Sequence, residues 1–156
     1  MVSVLFVCTG NQYRSPIAAE AFRAQLIRDG RAAQWRVNSA GTWTSSGQHA
    51  PLAAVELARS FGVNIDGHMT RMLDAKMLKD ADLVFVMEQG HKESIQVEFP
   101  FAKEKLYLLS EVADGLAYDI PDPAGSTYGE ANEIVRELVM MIRTGCGNIY
   151  KIAESI

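Results

Sequence analysis

The chain has 156 residues, 48% of them hydrophobic and 22% charged, a balance that fits one globular domain over residues 1–156 and excludes intrinsic disorder. Fifteen Lys plus Arg against nineteen Asp plus Glu leave a net charge of −4, and without a basic tract nucleic acid is excluded as the main partner. No apolar run reaches the roughly 18 residues of a membrane span, and the two cysteines, Cys8 and Cys146, are too few for a metal cluster and fit a reducing, cytoplasmic setting.

Val2 to Val7 is a continuous, β-branched-rich apolar run, the pattern of a strand covered on both faces in a parallel sheet. It carries no basic leader, so it reads as a strand and not as a secretory signal. Pro16 suits the first turn of a helix. Ala18, Phe22 and Leu26 then mark one apolar stripe, and Asp29-Gly30 supplies a stop. Trp35 to Ala40 reads as a short strand closed by Gly41. The Gly/Ser-rich segment Thr42 to Ala50 predicts a mobile wall beside a site.

Pro51 opens a second helix that Gly62 ends, and Asp74 to Asp80 predicts a short third one. Asp82 to Met87 repeats the buried-strand signature, and Lys105 to Leu109 gives a weaker fourth strand. The last helix is predicted from about Thr127 to Arg143, with Gly145 as its stop. This alternation predicts an α/β fold: three layers, with a four-stranded, mostly parallel twisted sheet and helices on both faces. Ligand sites in such sheets lie beyond the carboxyl ends of the strands, where the strand order switches.

Between the first strand and first helix stands Val7-Cys8-Thr9-Gly10-Asn11-Gln12-Tyr13-Arg14-Ser15-Pro16. A loop at that position can curl its N–H groups around one anion, with the helix N-terminus adding positive potential. Gly10 and Asn11 are the residues expected to take left-handed conformations in the curl. Arg14 can grip two oxygens of a tetrahedral oxyanion at once. The same donors would hold Cys8 as a thiolate, the nucleophilic form, with Ser15 able to donate to the sulfur. The Cys–Arg spacing alone is a weak signal; its strand-loop-helix setting makes it specific.

This segment resembles the phosphate-binding loop of the low-molecular-weight protein tyrosine phosphatases, V-C-x-G-N-x-x-R-S-P. Along most of the chain further segments are similar too: Ser39-Ala40-Gly41-Thr42 to the family's S-A-G-T, His68-x-x-Arg71 to its H-x-x-R, and Asp122-Pro123 to its D-P loop. Met87-Glu88 stands where an M-D pair is usual. The resemblance implies a phosphoprotein phosphatase, with phosphorylated proteins or peptides as partners, oxyanions such as phosphate as ligands, and no cofactor or metal. Cys8 would be the nucleophile, Arg14 the phosphate clamp and Asp122 the general acid and base. Thr9, Gly10, Asn11, Gln12, Tyr13, Arg14 and Ser15 would form the cradle, while Asn11, Ser15, Ser39 and His68 would support it from beneath.

Three departures bear on specificity and redox behaviour. Ala124-Gly125-Ser126-Thr127-Tyr128 replaces the aromatic pair that follows D-P in many members, leaving Trp43, with Tyr128 or Tyr13, as the expected aromatic pocket walls. Gln12 replaces a usual apolar residue. Tyr13 stands where many members carry a second cysteine, so peroxide damage to Cys8 is expected to lack an intramolecular rescue. Phosphotyrosine is the expected substrate class and phosphoarginine the alternative. An arsenate reductase and a non-catalytic phosphocarrier fit the residues less well. A thioredoxin-coupled arsenate reductase needs further cysteines between Val86 and Lys105, where there are none. A phosphocarrier of the sugar-transport type lacks a closing arginine.

Overall fold

A computed structural model describes residues 1–156. Four strands, β1 (Val2–Cys8), β2 (Trp35–Gly41), β3 (Leu83–Val86) and β4 (Leu106–Leu108), form one sheet in the order β2-β1-β3-β4. All three pairings are parallel. The chain winds outward from β1 to β2 on one side and from β3 to β4 on the other. The switch in strand order therefore falls between β1 and β3, and the crevice for a ligand opens at their carboxyl ends.

β1 and β3 are apolar along most of their length because both faces are covered, whereas the edge strand β2 carries Arg36, exposed, with Asn38 and Ser39. On one face Val4, Phe6, Val37 and Phe85 pack with Phe22 of α1 (Arg14–Arg28), Leu57 of α2 (Leu52–Ser60) and Val135, Leu138 and Ile142 of α6 (Tyr128–Glu154). Leu5, Val7, Val84 and Val86 face the other way, against Leu78 of α3 (Ala75–Asp80) and Ile95 of α4 (Gln89–Glu98). These are the three layers expected from the alternation. No helix is long and apolar enough to cross a membrane.

Three differences from the sequence reading have local causes. The first helix begins at Arg14, two residues before Pro16, so Arg14 is both the loop's closing residue and the first residue of the helix. The segment 42–50 is not a free wall. Gly47 N–H donates to Thr70 O (2.8 Å), Thr70 N–H to Gln48 O (2.7 Å) and Met72 N–H to Ser46 Oγ (3.0 Å), pinning it to the stretch that follows His68.

Gly145 does not stop α6, which continues to Glu154. Its role is steric. A Cβ at position 145 would lie 2.4 Å from Ala113 O and 2.7 Å from Ala113 Cβ, at the end of α5 (Leu109–Asp114). Glycine lets the two helices touch. Gly145→Ala is therefore expected to destabilise the fold by about 1–2 kcal/mol despite alanine's better helix propensity, lowering Tm by several degrees in a thermal melt. Gly147→Ala, in the same helix but facing open space, should leave Tm unchanged or raise it.

Candidate active site

The loop after β1 curls back on its own sulfur. Cys8 Sγ accepts the Asn11 N–H at 3.3 Å and lies 3.0 Å from Ser15 Oγ. Asn11 sits at φ 57°, the one non-glycine residue with positive φ. Asparagine tolerates that region because its short side chain finds local partners. Gly10, expected to share this role, does not adopt positive φ. From Thr9 to Ser15 the Asn11 amide alone has an acceptor within the protein, so the remaining loop N–H groups are available to an anion.

Every polar group of Asn11 is used in holding the curl. Its Nδ2 donates to Ser15 Oγ (2.7 Å) and Ser39 Oγ (3.0 Å). Its Oδ1 accepts the Arg71 N–H (2.9 Å), and its carbonyl accepts His68 Nε2–H (2.6 Å). Burial draws the His68 imidazole below its usual range, aided by Arg71 and opposed by the Asn11 carbonyl and Glu20. The neutral donor form is thereby favoured. Asn11, Ser15, Ser39 and His68 thus meet under the loop. Gly41 completes the base, since a Cβ there would stand 2.5 Å from Thr9 O; only glycine lets β2 end this close to the loop.

Arg14 closes the cradle and is itself 2% exposed. One end of its guanidinium is anchored: Nη1 donates to Glu88 Oε2 (2.5 Å) and to Ile120 O (2.7 Å). On the other end, Nη2 reaches Thr9 Oγ1 (3.4 Å) and stands 3.8 Å from Asp122 Oδ2. Anchoring one nitrogen fixes the plane of the fork and leaves the other side free for an oxyanion.

Glu88 follows β3 and Ile120 belongs to the Asp119–Pro123 loop. That loop is fastened to the same corner by Ile120 N–H to Met87 O (2.9 Å) and Gln89 N–H to Asp119 Oδ1 (2.8 Å). Asp122 therefore faces the cradle. Its Oδ1 accepts Ala124 N–H at 3.0 Å, and its side chain is 48% exposed.

Between loop and carboxylate lies a small cleft of about 30 Å³, with Cys8, Gly10, Gln12, Tyr13 and Arg14 on one side and Asp122 and Ala124 on the other. Trp43 and Tyr128 do not line it. They are 81% and 77% exposed; Trp43 is tied beside the loop by its backbone, its N–H donating to Thr9 O (3.0 Å), while Tyr128 opens α6 six residues beyond Asp122. Tyr13 is the aromatic residue of the cleft wall. Burial, and secondarily the Asp122 charge, push its phenol up, so it stays neutral. A larger groove of about 440 Å³ lies over β1 and β2, between Arg36, Arg71 and Lys76, and Cys8 does not line it.

His91 is a site residue that the sequence does not single out, and Glu88 stands out there only as the counterpart of an M-D pair, without a role. The signal present is Met87-Glu88 ending a strand beside β1, but the partner of that carboxylate is chosen by the parallel register.

Cys146 takes no part in the site. Its sulfur lies 3.8 Å from Gln25 Nε2 and 3.6 Å from Arg143 O, beside the far end of the 15-residue helix that begins at Arg14. At 1.5 Å per residue the two cysteines stand roughly 20 Å apart, well outside disulfide reach. Peroxide treatment is expected to give oxygenated Cys8 and no Cys8–Cys146 bridge by mass spectrometry.

Comparison with known proteins places this geometry. A protein-arginine-phosphatase of Bacillus subtilis is 31% identical over 91% of this chain and 97% of its own. The crystal structure of a low molecular weight protein tyrosine phosphatase from T. tengcongensis superimposes with a TM-score of 0.84 at 33% identity, covering 100% of both chains. A cysteine-to-serine mutant of an arginine phosphatase, with a phosphorylated active-site serine, superimposes with a TM-score of 0.85 at 30% identity over 92% of each chain. The model of the family described as low molecular weight phosphotyrosine protein phosphatase matches residues 3–155, and the chain belongs to that family.

Proposed function

We propose that this protein is a phosphoprotein phosphatase of phosphotyrosine substrates, acting through a cysteinyl-phosphate on Cys8 within one catalytic domain, residues 1–156. The observation that carries it is the convergence of a buried sulfur, free loop amides, a half-anchored guanidinium and a half-exposed carboxylate on one cleft. The phosphorylated active-site serine recorded for the related arginine phosphatase supports a phosphoryl transfer to the position of Cys8.

In the first step the Cys8 thiolate attacks phosphorus, forming the S–P bond as the P–O bond to the leaving group breaks. The loop amides and Nη2 of Arg14 receive the equatorial oxygens, whose charge they are already oriented to meet. Asp122, across the cleft, gives its proton to the departing oxygen. Ser15 Oγ, at 3.0 Å from the sulfur, donates to it as it becomes the leaving group. Water then attacks phosphorus, forming a P–O bond as the S–P bond breaks; its proton passes to Asp122, inorganic phosphate is released and the Cys8 thiolate is restored.

Tyr13 offers a phenyl ring an aromatic face in the cleft, with Trp43 and Tyr128 as outer walls to a bound peptide. Phosphoarginine is the second reading, favoured by Ala124 in the place of an aromatic residue, by the polar Gln12 in the cleft, and by the near full-length similarity to an arginine phosphatase. Turnover of matched phosphotyrosine and phosphoarginine peptides decides between them. Higher kcat/KM on phosphotyrosine is expected, and the reverse overturns the assignment. Two free cysteines, both buried, accord with a cytoplasmic protein.

A further inference from the structure

The corner Glu88-x-x-His91 is built around one imidazole. His91 is 7% exposed. Its Nδ1 accepts the Glu88 N–H at 3.1 Å, closing the first turn of α4 while the Glu88 carboxylate caps that turn in return. Because Nδ1 is an acceptor, the ring proton resides on Nε2, which therefore donates to Thr9 Oγ1 at 2.8 Å. That hydroxyl is the same oxygen reached by Nη2 of Arg14, and Glu88 is the carboxylate that anchors Nη1. His91 thus touches two of the three groups that hold the guanidinium, Ile120 O being the third, and it takes no part in the phosphoryl-transfer steps.

We propose that His91 is a positioning residue of the phosphoryl-transfer site: as a neutral imidazole it fixes the Thr9 hydroxyl beside Arg14 and holds Glu88 in place to anchor the same guanidinium. The inference deepens the phosphatase reading and rests on it. A protonated ring could not serve. Nδ1 would become a donor and lose the Glu88 amide, and a second cation would face Arg14. The charged groups around the ring are Arg14 from the loop after β1, Glu88 from its own helix cap, and Asp119 and Asp122 from the loop before α6. Burial, then Arg14, push its protonation below the usual histidine range, and the three carboxylates offset this only in part. The neutral form is held through physiological pH.

Side-chain amides separate the two bonds. In His91→Asn the amide oxygen takes the place of Nδ1 and keeps the Glu88 bond, while the reach to Thr9 is lost. In His91→Gln the amide nitrogen takes the place of Nε2. With p-nitrophenyl phosphate, His91→Asn is expected to lower kcat about tenfold with a smaller change in KM, and to weaken vanadate binding similarly. His91→Gln should recover most of that loss. Thr9→Val should match His91→Asn, and the double variant Thr9→Val/His91→Asn should lose no more than either single one. By NMR, His91 in the wild-type chain should titrate below free imidazole.

Wild-type kcat and vanadate affinity in a folded His91→Asn would overturn the proposal. So would multiplied losses in the double variant, or a His91 titrating at or above the ordinary value. Should the wild-type chain itself hydrolyse no phosphomonoester, the phosphatase reading fails instead. The vanadate cycle and the NMR titration would still judge the His91–Thr9 coupling.

Discussion

Cys8→Ser is expected to abolish turnover of p-nitrophenyl phosphate, by about four orders of magnitude or more, while the fold and phosphate binding survive. The reasoning is chemical before it is structural. The loop receives negative charge on the atom at position 8 through the Asn11 amide and the Ser15 hydroxyl. A serine hydroxyl in that cradle remains a neutral alcohol, a far weaker nucleophile, and an alkoxide is a poor leaving group in the second step. Whatever phosphoryl group reaches the serine should stay there. Intact-mass spectrometry after prolonged incubation with substrate should therefore show a phosphorylated variant that has released the leaving group once and retains the phosphoryl group. A Cys8→Ser chain with more than about one per cent of wild-type kcat would remove the covalent mechanism.

How much of the molecule is legible in its sequence differs from element to element. β1 and β3 are apolar on both faces because helices cover both faces, and that burial writes itself into Val2–Val7 and Leu83–Val86 without ambiguity. The loop after β1 is legible for the same reason: it joins a buried strand to a helix, and its Gly, Asn, Arg and Ser have few other uses together. α4 is not. Its cap is a glutamate paired reciprocally with a histidine, outside the Ser/Thr/Asp/Asn set that marks most helix starts. α5, six residues long, is too short to show a period.

Gly145 illustrates a different failure. Near the end of an amphipathic run, a glycine reads as a stop, yet here it answers to Ala113 on another helix. Long-range contact and local punctuation use the same residue. The Arg14–Glu88 pair joins residues that follow two different strands, and only the register Val7↔Val86 brings their ends level. Such pairs are invisible to periodicity.

Asp122→Asn is the sharper test of the division of labour across the cleft. The amide preserves the Oδ1 acceptor for the Ala124 N–H, which holds the turn at 3.0 Å, and removes only the proton and the charge. Loss of the charge alters the pairing with Arg14 little. That contact is long, 3.8 Å, and the carboxylate is 48% exposed to water, the circumstances in which an ion pair contributes least; the guanidinium keeps its bonds to Glu88 and Ile120 O. Stability should therefore hold, with Tm near that of the wild type. Turnover should not. With an unactivated phenyl or alkyl phosphate the departing oxygen needs the proton, and kcat/KM is expected to fall by about 10²–10⁴. With p-nitrophenyl phosphate, whose leaving group departs as a stabilised anion, the loss should be distinctly smaller. The dependence of log kcat/KM on leaving-group basicity thus steepens in the variant. Parallel lines for the two proteins, losing the same factor at every leaving group, would show that Asp122 positions the loop and donates no proton.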